Sequence, residues 1–225
     1  MAQFQKSVAQ WAPYVDQELT AAGIPLPRDL ILAVIHTESR GSAGLVNPKS
    51  GASGLTQVMP ATLEWYNEAH AGNPVTLAEL RAKDLNSAVK QIRVGIWVLS
   101  RFWRGAFQYL TGRVGSVAID ELAHIADLFY VAGPGATKKK LDKLADPTWE
   151  AVQARFPTWN ALPHPRNVFS HAGELAWPLE AISQWLGTGD SILNGKPNPK
   201  EGFILAVLGV LVAWYLMRKG PKDGK

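Results

Sequence analysis

A chain of 225 residues is longer than one small domain and shorter than two full ones, so one compact domain with an appendage is expected. With 47% hydrophobic and 19% charged residues it has material for a core and no signature of global disorder, and the lack of cysteine excludes a disulfide scaffold, thiolate chemistry and Cys-ligated zinc. A net charge of +4 suits an anionic partner, whether nucleic acid, a lipid surface or a carboxylate-bearing polymer, without choosing among them.

The stretch from Met1 to Leu30 has no basic start, apolar run and small-residue cleavage site, so no signal peptide is expected. Apolar residues then recur at helical spacing, without the two-residue alternation of sheet, and the fold class reads as mainly α. A first helix is predicted over Phe4 to Ala22, stopped by Gly23, and a second, very apolar one over Arg28 to Ser39 after Pro25 and Pro27. Gly41 to Gly54, rich in glycine and serine, reads as loop, and a third helix follows at Pro60 to Ala71. From Asn86, taken as an N-cap, a long helix carries Val89, Ile92, Ile96, Leu99, Trp103 and Ala106 on one stripe. Asp120 to Tyr130 forms another helix, stopped by Gly133-Pro134-Gly135, and two short helices are predicted near Lys138 to Ala145 and Thr148 to Phe156. Beyond Pro157 frequent prolines interrupt the pattern.

Glu38 is the residue that asks for an explanation. Leu30, Ile31 and Val34 precede it by eight, seven and four positions and share its helix face. An apolar face desolvates the carboxyl and the helix C-terminus repels negative charge; both favour the protonated form, which is what a general acid needs. The competing reading is a glutamate at a helix end that pairs with Arg40 or with a backbone donor.

The surrounding text decides between them. Glu38-Ser39, a Gly/Ser loop, and Ser50-Gly51-Ala52-Ser53-Gly54-Leu55-Thr56-Gln57-Val58-Met59-Pro60-Ala61-Thr62 resemble the signature of the soluble lytic transglycosylase (SLT) family, whose fold is lysozyme-like. Asp84-Leu85-Asn86 with Ile92, Gly95 and Leu99 looks like that family's central helix, and Phe129-Tyr130-Val131-Ala132-Gly133-Pro134-Gly135 like its Ala-Tyr-Asn-Ala-Gly segment. Leu162-Pro163 followed by Arg166-Asn167 echoes its last motif, so the resemblance runs from about Gly23 to Phe169.

The resemblance implies that Glu38 is the sole catalytic acid and base, and that Ser39, Gln57 and Tyr130 line a sugar cleft. A Tyr130 hydroxyl could hold the Glu38 carboxyl, and the Gln57 amide can donate to and accept from an N-acetyl group. Two positions depart from the family: Thr56 stands for its Met, and Val131 for an Asn expected to touch substrate. The implied reaction cleaves the MurNAc-GlcNAc β-1,4 bond of peptidoglycan with formation of a 1,6-anhydro end, using one carboxylate where ordinary glycosidases use two. Alternatives are a lysozyme on the same fold, with Glu64, Glu68 or Asp84 as second carboxylate, and a non-catalytic wall-binding membrane or virion protein.

No cofactor is expected. His36, His70, His124, His164 and His171 lack metal-ligand spacing, and Lys138-Lys139-Lys140 reads as a solvated face, so neither a metal nor a nucleic-acid partner is expected. The division expected is a catalytic domain over 1–170, a linker over 171–201 with Trp177, Leu179, Ile182, Trp185 and Leu186 on an amphipathic helix that lies on a membrane or packs on the domain, a transmembrane helix over 202–219, and a basic tail over 220–225. Gly202 to Met217 carries no charge and is followed by Arg218, Lys219, Lys222 and Lys225, which puts the tail in the cytoplasm and the catalytic domain on the side of the wall. A late anchor without an export signal suggests a bacteriophage protein that reaches the wall in the virion, with other virion proteins and a lipid membrane as partners; a host periplasmic enzyme is the rival.

Overall fold

A computed structural model describes residues 4–114, 117–173 and 175–187. Among the described residues the chain forms eleven helices: α1 Lys6–Ala9, α2 Ala12–Ala22, α3 Arg28–Ser39, α4 Pro60–Ala69, α5 Leu77–Arg81, α6 Leu85–Val114, α7 Ile119–Ala132, α8 Pro134–Leu141, α9 Trp149–Arg155, α10 Pro163–Ala172 and α11 Leu179–Gly187.

The central element is α6. Ala88, Ile92, Ile96, Leu99, Trp103, Ala106 and Leu110 are buried along one side, pack against α2 and α7, and join the α3 residues in the main core. Val94 and Val98 face a smaller cluster with Val58, Leu63, Tyr66, Val75 and Leu80. One helix thus serves two apolar faces, and each fully buried Leu, Ile or Val adds about 1.5–3 kcal/mol of hydrophobic stabilisation. Arg93 grips Glu18 of α2 with two hydrogen bonds, 2.8 and 3.0 Å, so the buried Glu18 carboxylate is compensated where the helices cross.

The first predicted helix is two. Trp11 turns inward at the break and its Nε1 donates to the Gly41 carbonyl at 2.9 Å, while Pro13 lies in the first turn of α2, where its missing N–H costs no helical bond. The long helix begins at Leu85, and Asp84 rather than Asn86 caps it, accepting from the Ser87 N–H at 3.0 Å. A short helix, α5, was not predicted; Thr76 and Glu79 close a reciprocal capping box at its start.

The segment 41–59 between α3 and α4 has only isolated antiparallel bridges, Val46 with Ser53 and Ser53 with Val58. Backbone hydrogen bonds within the segment, such as Asn47 N–H to Ala52 and Gly54 N–H to Leu45 at 2.8 Å, are joined by bonds to Gln91, fully buried on α6. The Gln91 Oε1 accepts from the Gly44 and Leu55 N–H groups at 3.2 and 3.1 Å, and Nε2 donates to the Glu79 and Ala82 carbonyls at 3.1 and 2.8 Å. Gly95, one turn further along, gives room to the loop: a Cβ there would lie 2.4–2.8 Å from Thr56 side-chain atoms.

The packed structure continues past residue 170. On α11, Ile182 and Trp185 are buried, and the Arg104 guanidinium lies 4.7 Å above the Trp185 ring. Trp177 meets Trp103 at 5.5 Å, so the amphipathic helix turns its apolar face onto the domain rather than toward a membrane. Among the described residues no helix is long and apolar enough to cross a membrane, and the segment 202–219 expected to do so lies outside them, as does the tail 220–225.

Gly95→Ala should destabilise the protein by about 2 kcal/mol, because the new methyl overlaps Thr56 and the loop cannot withdraw without losing its Gln91 bonds. Urea unfolding followed by circular dichroism measures it; an unchanged midpoint would mean that the loop does not press on α6.

Candidate active site

The apolar positions Leu30, Ile31, Val34 and Ile35 bury α3 in the core and bring Glu38 to its last turn. The helix ends there because Arg40 and Gly41 both take left-handed backbone, φ 53° and 81°. Glu38 keeps 19% of its side chain exposed. Asp127 and Tyr130, three residues apart on α7, share a face, and α10 brings His164 in its first turn against both α3 and α7.

These elements meet in a chain of polar contacts. His164 Nε2 lies 2.9 Å from Glu38 Oε1, and its Nδ1 lies 2.7 Å from Asp127 Oδ2. Asp127 is buried at 4% exposure, so its carboxylate needs a partner, and the imidazole supplies one. Burial works against the charged imidazole, but the hydrogen bonds to Asp127 and Glu38 and the charges of both carboxyls outweigh it and push the His164 pKa up to about 10. Near neutral pH the ring carries a proton on each nitrogen and can donate to both carboxyls at once, which a neutral imidazole cannot do. The structure places a charged hydrogen-bond donor directly against the Glu38 carboxyl, a partner that sequence reasoning did not supply.

Tyr130 has a different task from the one expected. Its hydroxyl donates to the Thr56 carbonyl and not to Glu38, tying α7 to the Gly/Ser loop. Burial first, and the nearby Glu38 and Asp127 charges after it, push the phenol well above its usual range despite the Thr56 bond, so it stays a neutral donor. Its ring lies 6.0 Å from that of His164 and 6.1 Å, edge to face, from Phe102. Gln57 also turns its donor inward: Nε2 donates to the Leu45 and Gly54 carbonyls at 3.1 and 2.9 Å, from a residue held at φ 48°, and its carbonyl oxygen is the part left for a ligand. Ser39 is buried; its hydroxyl donates to the Ile35 carbonyl at 3.0 Å and accepts from the Gly41 N–H at 3.3 Å, closing α3 rather than facing a groove. Val131 is 40% exposed beside Tyr130.

Asp127 and His164 were not named as site residues by sequence reasoning. Asp127 could have been found from its place three residues before Tyr130. His164 lies inside the Leu162 to Asn167 segment, but the 126 residues that separate it from Glu38 leave no local pattern to read. Arg40, the partner offered by the competing reading, makes no ion pair with Glu38 among the described residues.

The chain matches the transglycosylase SLT domain over residues 20–146, more than half of its 225 residues. It belongs to the transglycosylase SLT domain family. No curated protein matches the chain. The SLT match makes this a peptidoglycan-acting domain of the lytic transglycosylase type, and the mainly helical architecture agrees with a lysozyme-like domain. The matched segment contains Glu38, Gln57, Asp127 and Tyr130 and stops short of His164, so α10 completes the polar chain from outside it. Among the described residues no group of histidines and carboxylates could hold a metal ion.

The raised His164 pKa has a stability consequence of definite sign. A histidine at about 10 in the folded protein and 6.5 when unfolded stabilises fully below pH 6.5, and that contribution is lost as the pH rises toward 10. Urea unfolding should therefore weaken from pH 6.5 to 10 by a few kcal/mol in the wild type. In His164→Asn the slope over that window should flatten; an equally steep slope would assign the dependence to other groups.

Proposed function

We propose that this SLT domain is a peptidoglycan lytic transglycosylase that cleaves the MurNAc-GlcNAc β-1,4 bond and leaves a 1,6-anhydro-MurNAc end. The observation that carries the reading is the arrangement of the two carboxyls: Glu38 is partly exposed at one end of the polar chain, while Asp127 lies buried behind the His164 ring. Glu38 can reach a substrate; Asp127 is committed to the imidazole.

In the reaction, Glu38 protonates the glycosidic oxygen as the bond from that oxygen to the MurNAc anomeric carbon breaks. The charge developing on the sugar ring is oxocarbenium-like. The Glu38 carboxylate then removes the proton from the MurNAc 6-hydroxyl while that oxygen bonds to the anomeric carbon. One proton leaves Glu38 and one returns, and no water is consumed. The partner against Glu38 is the charged His164 imidazole, which also bonds Asp127 and so sits between the two carboxyls. Trp65 and Trp97, edge to face at 4.6 Å, extend the aromatic surface from Phe102 and Tyr130 and suit the apolar faces of sugar rings.

The lysozyme alternative needs a second carboxylate beside the substrate. The residues offered for it have other settings: Asp84 caps α6, and Glu64 and Glu68 lie on the exposed side of α4. We also propose that the enzyme works at a membrane facing the wall, delivered with a bacteriophage particle for genome entry. The uncharged run Gly202 to Met217 with its basic tail supports this, and detection of the protein in purified particles checks it.

Glu38→Gln should lower wall-degrading activity by about a thousandfold or more, as expected for loss of a general acid that must also act as base, with the fold kept. Mass spectrometry of the wild-type digest should show ends lighter by one water than those of a hydrolase. Products at the full hydrolysed mass would replace this assignment with a lysozyme, and undiminished activity of the variant would move the site elsewhere.

A further inference from the structure

A polar cavity lies along α3 and α10. Gln5, His36, Thr37, Arg40, Asn167 and His171 line a space of about 380 Å³ between the start of the chain, α3 and α10. None of the six is acidic, and every one carries a group able to donate a hydrogen bond. The His36 and His171 rings stack at 3.9 Å. Two buried polar atoms, His36 Nδ1 and Thr37 Oγ1, have no hydrogen-bond partner among the described residues, a condition native proteins rarely leave unmet.

The electrostatics of the cavity are one-sided. Burial, then the neighbouring His171 and Arg40, lower the His36 pKa, and no lining carboxylate offsets them. The Arg40 side chain makes no ion pair with a described residue, and the residue is held at φ 53°, a conformation costly for anything but glycine or asparagine. A space lined by hydrogen-bond donors, with the Arg40 guanidinium and no carboxylate among its lining residues, suits an anion rather than neutral sugar hydroxyls.

Its location narrows the choice of anion. His164, Asn167 and His171 are spaced as i, i+3 and i+7 and follow one side of α10. His171 therefore stands roughly 10 Å along the helix from the ring that touches Glu38. We propose that the cavity binds a carboxylate of the peptide arm carried by peptidoglycan, anchoring the strand while Glu38 cuts the adjoining glycosidic bond. This rests on the reading of peptidoglycan as substrate. A peptide arm hangs from the sugar whose bond is broken, and its free carboxylates are the anions within that reach.

The test uses the full chain and isothermal titration with three probes: a synthetic stem peptide with free carboxylates, the same peptide with its carboxylates amidated, and inorganic phosphate. The free-acid peptide should bind at least about tenfold tighter than the amidated one, and Arg40→Gln and His171→Gln should each weaken it by about tenfold, as for loss of a hydrogen bond to a charged group. In kinetics the same variants should raise KM for peptide-bearing strands, leave kcat, and leave strands stripped of peptide unaffected. Equal binding of the acid and amide peptides would overturn the proposal, as would phosphate binding as tight as the peptide's, which would make this a general anion site. Both comparisons are made on the wild type, so they hold even if a variant fails to fold. Wall cleavage without peptide binding sinks the peptide site alone; peptide binding without wall cleavage sinks the catalytic reading alone.

Discussion

One imidazole between two carboxyls organises this molecule. Asp127 is buried on α7, where an isolated carboxylate would be strongly disfavoured, and His164 is the group that compensates it. The same ring, through its other nitrogen, reaches Glu38 at the end of α3. Three helices from distant parts of the chain are thereby fixed relative to one another at the point where the chemistry is proposed. The apolar packing of α3, α7 and α10 brings the backbones near; the polar chain sets their register, because removing any one member leaves a buried polar group unpaired.

A second constraint holds the other side of the site. The loop after α3 is closed by its own backbone bonds, and Gln91 fastens it to α6 and to the 79–82 segment by bonding backbone groups of both. Gly54 and Gly95 permit the approach: a Cβ on Gly54 would sit 3.0 Å from the Gln91 side chain, and one on Gly95 would overlap Thr56. With Thr56 pressed on α6, its carbonyl is presented to Tyr130, and the loop is joined to α7. Glycine here is a matter of close contact between backbone and helix.

What could be read in advance follows from how local each determinant is. The bounds of α3 were legible because Pro27 and the left-handed turn at Arg40-Gly41 act within a few residues, and its apolar positions announced both the core face and Glu38. The α6 stripe was legible for the same reason. The division of the first helix was not, since it depends on Trp11 finding the Gly41 carbonyl thirty residues away. The α5 capping box, Thr76 to Glu79, is by contrast a local signal carried by four consecutive residues. Prolines 163 and 165 looked like interruptions, yet they occupy the first turn of α10, where proline is tolerated. Glu38 could be named from one segment; the partner that holds it, and the direction of the Tyr130 hydroxyl, are tertiary facts with no local trace.

The polar chain also accounts for how a single carboxyl could both give and take a proton. Such a group must regain, in the second half of the reaction, the proton it lost in the first, and it must not drift between rotamers in the interval. His164 meets the second need by holding Oε1 at 2.9 Å, and Asp127 keeps the ring itself from turning. Tyr130 is kept out of the proton traffic: burial holds its phenol neutral, and its hydrogen is committed to the Thr56 carbonyl. On the mechanism proposed above, Glu38 is the member of the pair that meets the sugar, and it is the more exposed of the two, at 19% against 11%.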